Sequence, residues 1–300
     1  MEKAAEKKLS GTKKSKKAIA KEKREKMIEL ACQLNPVNVK LINEHNISPA
    51  LTDKAFKKAF KEHLNLDVTL LNYKMVFEHA DWGAYSFLLA TGVKTCPYCN
   101  RQYILPIYSN NGKARAQIDH FFPKSSYPYF SLSLYNLIPS CSVCNASLKR
   151  KEEFTPNTLN PYEVDFHKLA RFKVIPYKDQ YIISLKARKD EKCDEEQVNR
   201  QKQMFKLESR YSYQQQVIEE MVKRRMIYNE DYIDSLLKKY PMLFQSKEQI
   251  WALGIGYEVE EDKICDEPLG KLKRDVAEQL DRDEEKLERK LMERLKKIRF

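Results

Sequence analysis

The sequence predicts an α+β fold, in which a mainly helical chain surrounds one small unit that contains β-structure. Apolar residues recur at spacings of three and four before residue 92 and again after residue 193, as in amphipathic helices. Around the turn sequence SNNGKA the apolar period changes to two, which is typical of a β-hairpin with strands at 102–108 and 115–120. Two Cys-x-x-Cys pairs bracket this hairpin, and pairs of that spacing commonly hold a metal ion.

Three regions follow from these patterns. Residues 1–92 form an N-terminal region, with a Lys-rich basic arm followed by helices, the last of which is predicted to stop at Gly92. Residues 93–170 contain the hairpin and both cysteine pairs. Residues 171–300 begin with two short strands, at 172–175 and 181–185, and continue as helices. The last of these helices carries a narrow apolar stripe, which we expect to dock on a partner or on the body of the protein.

Charge narrows the class of function. The 300 residues include 55 Lys and Arg against 43 Asp and Glu, a formal net charge of +12. Such a surplus favours a polyanionic partner, nucleic acid first, although a generic lysine-rich surface is the alternative. Neither a secretory signal nor an apolar run long enough to span a bilayer is visible. We therefore expect a cytoplasmic protein without a membrane partner, whose paired cysteines are metal ligands rather than disulfides.

The two cysteine pairs are Cys96 with Cys99 and Cys141 with Cys144. Each pair places two thiolates on a tight turn, and two such turns complete a closed tetrahedral site of the structural type. Zn²⁺ is the predicted occupant. Iron also fits four sulfur ligands; the remaining alternatives are free buried thiols or a thiol–disulfide motif formed by one pair.

The end of the hairpin carries polar residues with catalytic chemistry. Asp119 and His120 close its second strand, and Asn145 follows Cys144 where a helix opens. Hydrolysis of a phosphodiester needs a base to activate water and a cation to stabilise the developing charge. The oxygens of Asp119 and Asn145 suit Mg²⁺ or Mn²⁺. His120 is the predicted base, because a neutral imidazole is available near pH 7.

The motifs between Cys96 and Lys149 resemble those of the HNH endonuclease superfamily, which has a ββα-metal fold. They are CPYCN, DHFFPKS, YNLIP and CSVCN followed by Lys149. The resemblance implies that His120 is the general base and that Asp119 and Asn145 bind the catalytic metal. It also implies that Asn136 fixes the loop and orients the base. The chain carries a D-H…N…N pattern rather than a strict H-N-H, so the second ligand is an amide.

Three basic residues flank these motifs: Lys124, Lys149 and Arg150. We predict that they contact phosphates of the nucleic acid. The alternative for each is an ordinary solvated surface charge.

Among HNH proteins the chain is most similar to the PtuB-type nucleases of Septu and retron anti-phage defence systems. That resemblance implies a companion ATPase of the PtuA type, with the flanking helical regions as its docking surfaces. The chain itself has no GxxxxGK[ST] phosphate loop. The expected function is a metal-dependent endonuclease, with DNA the favoured substrate. The alternatives are a nuclease of the same fold that cuts structured RNA such as tRNA, and a catalytically inactive, zinc-stabilised adaptor.

Overall fold

The computed structural model describes residues 77, 83–124, 130–150, 158–178, 180–188, 195–282 and 289. The predicted basic arm and the helices before residue 77 lie outside the described residues, as does most of the predicted terminal helix beyond 282. The chain divides into two compact units, of which one contains residues 1–83 and 122–137 and the other residues 84–121 and 138–300. The boundaries at residues 92 and 170 stay predictions.

The described part of the chain is mixed α and β, about half helical, with three two-stranded sheets. The strands are β1 Ile107–Ser109, β2 Gly112–Ala114, β3 Gln117–His120, β4 Leu137–Ser140, β5 Ala170–Tyr177 and β6 Gln180–Ala187. The α-helices are α1 Ala84–Thr91, α2 Phe166–Leu169, α3 Glu195–Met204, α4 Leu207–Tyr211, α5 Gln215–Ile227, α6 Glu230–Lys239, α7 Lys247–Ile255 and α8 Gly270–Arg282. Short 3₁₀ helices span Leu134–Asn136 and Glu261–Asp266, and a π-helix spans Val143–Lys149.

The helix that precedes the cysteine pairs ends where the sequence predicts. Helix α1 stops at Thr91, and Gly92 follows with a φ of 66°. The amide of Gly92 donates to the carbonyl of Leu89 at 3.2 Å. Glycine adopts this left-handed conformation without steric cost, which is why it commonly follows a helix end.

The predicted hairpin is only partly correct. Strands β1 and β2 pair antiparallel with Tyr108 opposite Lys113. The ribbon is short, and neither Asn111 nor Gly112 has the positive φ that a tight hairpin turn uses. Strand β3 pairs with β4 instead of extending the hairpin. The reason is burial: every residue of β1 and β2 is exposed, whereas Ile118 in β3 and Ile138 in β4 are buried. The strand that bears the candidate catalytic residues therefore pairs with β4, where apolar side chains of both strands are buried away from water.

The second predicted pair of strands is confirmed and is longer than expected. Strands β5 and β6 form an antiparallel ribbon of eight residues each, with Phe172 opposite Leu185. A two-stranded ribbon exposes two edges of unpaired main-chain groups. Here helix side chains cover part of each edge. Gln279 of α8 bonds both main-chain groups of Val174, at 3.0 and 2.6 Å, and Gln215 of α5 bonds both groups of Tyr181, at 2.7 and 2.9 Å.

The described part of the predicted terminal helix, α8, shows where its apolar stripe packs. Its buried residues are Leu272, Val276, Ala277 and Leu280. The helix packs on β5, and the buried carboxylate of Asp275 accepts from the amide of Phe172 at 2.8 Å and from Lys271 Nζ at 3.0 Å. Burial raises the pKa of Asp275, while the neighbouring Lys271 ammonium opposes that rise. The described part of the stripe, which includes Val276 and Leu280, therefore belongs to the core of this unit.

Candidate functional site

The four predicted metal-binding cysteines come together. Their Sγ atoms all lie within 4.8 Å of one another, and all four residues are buried. Cys96 and Cys99 flank the turn after α1, whereas Cys141 and Cys144 flank the start of the π-helix. Four buried thiols at this spacing could bind one zinc ion, and no open position is needed for a structural site.

Hydrogen-bond donors surround the sulfur atoms. The guanidinium of Arg210 in α4 lies 3.2 Å from Cys144 Sγ and 3.4 Å from Cys99 Sγ. The main-chain amide of Cys141 donates to Cys96 Sγ at 3.4 Å. Four thiolates around Zn²⁺ carry a net charge of −2, so a cation and amide donors beside them fit that ion. Arg210 gives no signal of this role in the sequence, because it lies 66 residues beyond Cys144 in a helix with no cysteine or histidine motif.

Asn100 fastens the first cysteine turn to α8. It follows Cys99 with a φ of 45°, and its side-chain oxygen accepts from the amide of Lys271 at 3.0 Å. Its main-chain carbonyl accepts from the amide of Leu269 at 2.6 Å. The hydroxyl of Tyr211 donates to the carbonyl of Cys99 at 2.7 Å. The cysteine cluster is thus tied to two helices that come more than 100 residues later.

Asp119 sits near the end of β3 and is 4% exposed. Lys149 Nζ lies 2.7 Å from both of its carboxylate oxygens, and the hydroxyl of Tyr98 donates to Oδ2 at 2.6 Å. The same Nζ donates to the carbonyl of His120 at 2.5 Å. Burial, followed by the charge of Asp119, raises the pKa of Tyr98, so this hydroxyl stays a donor. Burial lowers the pKa of Lys149, and the Asp119 carboxylate acts in the opposite direction.

These contacts correct one predicted phosphate contact. Lys149 has a side chain that is 2% exposed, and its ammonium is held by Asp119, so it is not presented to a phosphate. A buried carboxylate requires a counter-charge, and Lys149 supplies it. Arg150 is exposed at the end of the π-helix, with a φ of 51° and its Nε donating to the carbonyl of Ser147 at 2.9 Å. Lys124 is exposed as well, and both remain predicted contacts.

Lys149 is paired with the carboxylate that is predicted to bind Mg²⁺ or Mn²⁺. Asn145 directly follows Cys144 in the π-helix and is half-buried. The carboxylate of Asp119 already forms an ion pair with the ammonium of Lys149. Among the described His, Cys, Asp and Glu residues, the four cysteines are the only group of three or more whose ligand atoms lie close enough to share a metal ion. A second cation at Asp119 therefore requires the Lys149 ammonium to leave, since like charges at this distance repel each other strongly inside a protein.

The other two predicted site residues, His120 and Asn136, are the last residues of strand β3 and of the first 3₁₀ helix. His120 is half-buried at the last position of β3. Asn136, in the other compact unit, is fully buried, and its side chain accepts from the amide of Phe122 at 2.7 Å. Its Nδ2 donates to the carbonyls of Phe122 and Phe130, at 3.1 and 3.0 Å. Asn136 thus holds the two ends of the 122–130 segment, while its predicted effect on His120 stays a prediction.

Comparison with known proteins gives one partial likeness. The chain is 35% identical over 65 residues to protein ea31 of Escherichia phage lambda. The match spans 22% of this chain and 19% of the phage protein, so it covers only a small part of either. No protein-family model matches the chain, and no solved structure does. The likeness therefore shows no family for the whole chain.

Within the described ranges, no helix combines the length and the apolar character that crossing a bilayer requires.

Proposed function

We propose that this chain is an HNH-type endonuclease that hydrolyses phosphodiester bonds of nucleic acid, with DNA the favoured substrate. The observation that carries the proposal is the contact between Asp119 and Lys149. It joins the strand that ends in Asp119-His120 to the helix that carries Cys144 and Asn145. Motif segments 30 residues apart in the sequence thereby meet beside the cysteine cluster, as the resemblance to HNH proteins implies.

The chemistry assigned to His120 is that of a general base. A neutral imidazole accepts the proton of a water molecule as that water attacks phosphorus, a contribution of about 10²–10⁴-fold in other enzymes. The exposed side chain of Arg150 would contact the phosphate, and Lys124, in the other compact unit, stays a predicted contact of the nucleic acid. The net charge of +12 would attract the polyanion.

A divalent cation, Mg²⁺ or Mn²⁺, would stabilise negative charge on the phosphate and on the leaving oxygen. Its predicted ligands, Asp119 and Asn145, do not present an open site while Lys149 is paired with Asp119. If Lys149 stays paired with Asp119 when metal and nucleic acid are present, the second candidate applies, a zinc-stabilised adaptor that binds nucleic acid or a partner without cutting. Cleavage assays with each metal decide between the two.

The test compares the purified wild-type chain with His120→Ala on supercoiled plasmid and on total cellular RNA, with Mg²⁺ and Mn²⁺ in separate reactions. We expect the wild type to cut and His120→Ala to lose about 10²-fold or more in rate, with zinc content unchanged. The matched control is Lys178→Ala, an exposed residue outside the motifs, which should cut at the wild-type rate. Full activity of His120→Ala would overturn the assignment of the base.

The same experiment separates the alternatives. Cleavage of RNA alone would replace DNA as the substrate, whereas nucleic-acid binding without cleavage under either metal would support the adaptor. We also propose a companion ATPase of the PtuA type and a role in anti-phage defence, because the motifs resemble those of the PtuB-type nucleases. Co-expression should then give a stable complex and a nuclease whose activity depends on the ATPase.

A further inference from the structure

Strands β1 and β2 form a ribbon that is open to water on both of its faces. All of its residues are exposed. Tyr108 lies opposite Lys113, and the neighbouring pair, Ile107 and Ala114, belongs to the other face, because side chains alternate along a strand. Among the described residues, no atom beyond its chain neighbours lies within 4 Å of the place that a Cβ would take at Gly112. The ribbon therefore stands clear of the unit that carries it.

Large side chains are exposed on the ribbon and on the segment before it. Ile107 is 61% exposed, and Tyr108 is 67% exposed although the Tyr85 ring lies 5.1 Å from its own ring. Tyr103 and Leu105, which precede β1, are 61% and 50% exposed. A two-stranded ribbon alone is only marginally stable in water. These exposed residues therefore favour a partner that covers the ribbon from both sides.

The chain around the ribbon has almost no negative charge. Between residues 82 and 151 the only Asp or Glu is Asp119, and Lys149 is paired with it. The Lys and Arg residues of the same segment are Lys94, Arg101, Lys113, Arg115, Lys124, Lys149, Arg150 and Lys151. Of these, Lys94 is paired with Asp266. Such a separation of charge along the chain favours a polyanion as the partner.

Two cations of this segment, Lys113 in β2 and Arg115 directly after it, are exposed. Lys113 Nζ lies 4.3 Å from the centre of the Tyr108 ring, and Arg115 donates to the carbonyl of Ala116 at 3.1 Å. Neither cation is paired with a carboxylate in the described part of the chain. Both charges are therefore available to the phosphates of a nucleic acid.

We propose that this ribbon enters the major groove of duplex DNA. Three residues per strand, at about 3.3 Å each, give a ribbon about 10 Å long, and the groove is about 8.5 Å deep. The groove is about 12 Å wide and admits a two-stranded β-ribbon. Its two walls cover both faces of a ribbon at once, whereas a single strand laid on the ribbon covers one face. The major groove of duplex RNA is deep and too narrow for this insertion, so the ribbon selects DNA.

Each part of the ribbon has a role in this arrangement. Lys113 and Arg115 contact phosphates of the groove walls, and the exposed amides of Asn110 and Asn111 at the tip reach the base edges. Residues 115–116 join β2 to β3, and both strands belong to the same compact unit. The duplex is thereby brought to the strand that ends in His120. This inference rests on the proposed function, because it names the substrate class of the same site.

The test measures binding by fluorescence anisotropy with the full-length, zinc-loaded protein. No Mg²⁺ or Mn²⁺ is added, so the result does not depend on cleavage. The probes are a short labelled DNA duplex, its single strand, an RNA duplex of the same sequence, and the DNA duplex with glucosylated 5-hydroxymethylcytosine, whose sugars fill the major groove. We expect the unmodified DNA duplex to bind about tenfold more tightly than each of the other three probes.

A charge variant locates the binding. Lys113→Gln/Arg115→Gln should weaken binding of the DNA duplex about tenfold and lower the slope of log K against log salt concentration by about two, because two phosphate contacts are lost. The matched control, Lys238→Gln/Lys239→Gln, removes the same charge from exposed positions in α6 and should bind as the wild type does.

A second variant tests the insertion of the tip. Asn110→Ala/Asn111→Ala should weaken binding about three- to tenfold and leave the salt slope unchanged, because amides at base edges carry no charge. Equal binding of the four probes, tighter binding of the RNA duplex, or wild-type binding by Lys113→Gln/Arg115→Gln would overturn the proposal. Groove binding without cleavage under either metal would support this inference and refute the proposed nuclease. Cleavage by the wild type, together with wild-type binding by the charge variant, would do the reverse.

Discussion

Lys149 Nζ lies 2.7 Å from both carboxylate oxygens of Asp119, and the two side chains are only 2% and 5% exposed. The pair connects the end of β3 to the end of the π-helix. The attraction between two buried charges offsets the loss of their hydration only when both are present, so each member is costly to remove alone. The pair therefore holds the two motif segments together and at the same time occupies the predicted metal ligand.

Removal of one member should be strongly destabilising. We expect Asp119→Asn to lower the free energy of unfolding by about 3–5 kcal/mol, because it leaves the Lys149 ammonium buried without a counter-charge. The double variant Asp119→Asn/Lys149→Met should recover much of that loss. Urea unfolding of the zinc-loaded protein measures both, and the difference gives the coupling between the two residues.

An exposed pair provides the control for this cycle. Lys247 and Asp234 are separated by 2.6 Å, but both are more than half exposed. Asp234→Asn should change the urea midpoint little, since water and salt screen such pairs. A similar effect of Asp119→Asn and Asp234→Asn would show that the Lys149–Asp119 pair is not buried as described.

Zinc should be required for the fold of the cysteine-containing unit. We expect one zinc ion per chain by elemental analysis, and we expect a chelator or Cys144→Ser to lower the melting temperature sharply, because the metal closes a long loop between the two cysteine pairs. Cys265→Ser is the control, since Cys265 is outside the cluster, and it should keep its zinc. A zinc-free chain with an unchanged melting temperature would contradict the assignment.

Arg210 should slow the loss of zinc. Its guanidinium donates to Cys99 and Cys144, and a charge-assisted hydrogen bond typically contributes about 1.5–3 kcal/mol. We expect Arg210→Gln to release zinc to a chromogenic chelator about tenfold faster than the wild type, whereas Lys238→Gln, which changes an exposed lysine of α6, should not. Equal release rates for the wild type and Arg210→Gln would show that the Arg210 contact does not slow the loss of zinc.

His167 should make the fold sensitive to acid. Burial, followed by the positive charges of Lys271 and Arg188, lowers its pKa to about 3, compared with about 6.5 in an unfolded chain. Below pH 6.5 the unfolded chain takes up a proton that the folded chain refuses, so stability is lost as the pH falls from 6.5 towards 3. From pH 7 to pH 5 this one group should remove about 2 kcal/mol, at about 1.4 kcal/mol per pH unit.

The measurement is urea unfolding at several pH values for the wild type and for His167→Gln. The wild type should lose about 2 kcal/mol more than the variant between pH 7 and pH 5. Parallel curves would indicate that His167 titrates normally in the folded chain.

Much of the local structure followed from the sequence. The cysteine spacing predicted the four-thiol cluster, because each Cys-x-x-Cys turn supplies two thiols and a tetrahedral zinc site needs four. Alternating apolar residues predicted β5 and β6, and Gly92 marked the end of α1. The hairpin was harder, because residues 115–116 separate β2 from β3 and nothing local shows that β3 pairs with β4.

By itself the sequence determined where the candidate groups lie: four thiols at metal-binding spacing, an Asp-His step at a strand end and a strongly basic chain. Only the tertiary structure decided which charged side chains contact buried groups of the protein itself. Lys149 and Arg210 resemble surface residues when read along the chain, yet one is buried against Asp119 and the other lies on two sulfur atoms. The physical reason is that a buried anion pairs with whichever cation lies close to it in space. The partners are separated by 30 residues in one case and 66 in the other, and such separations do not show which groups come close.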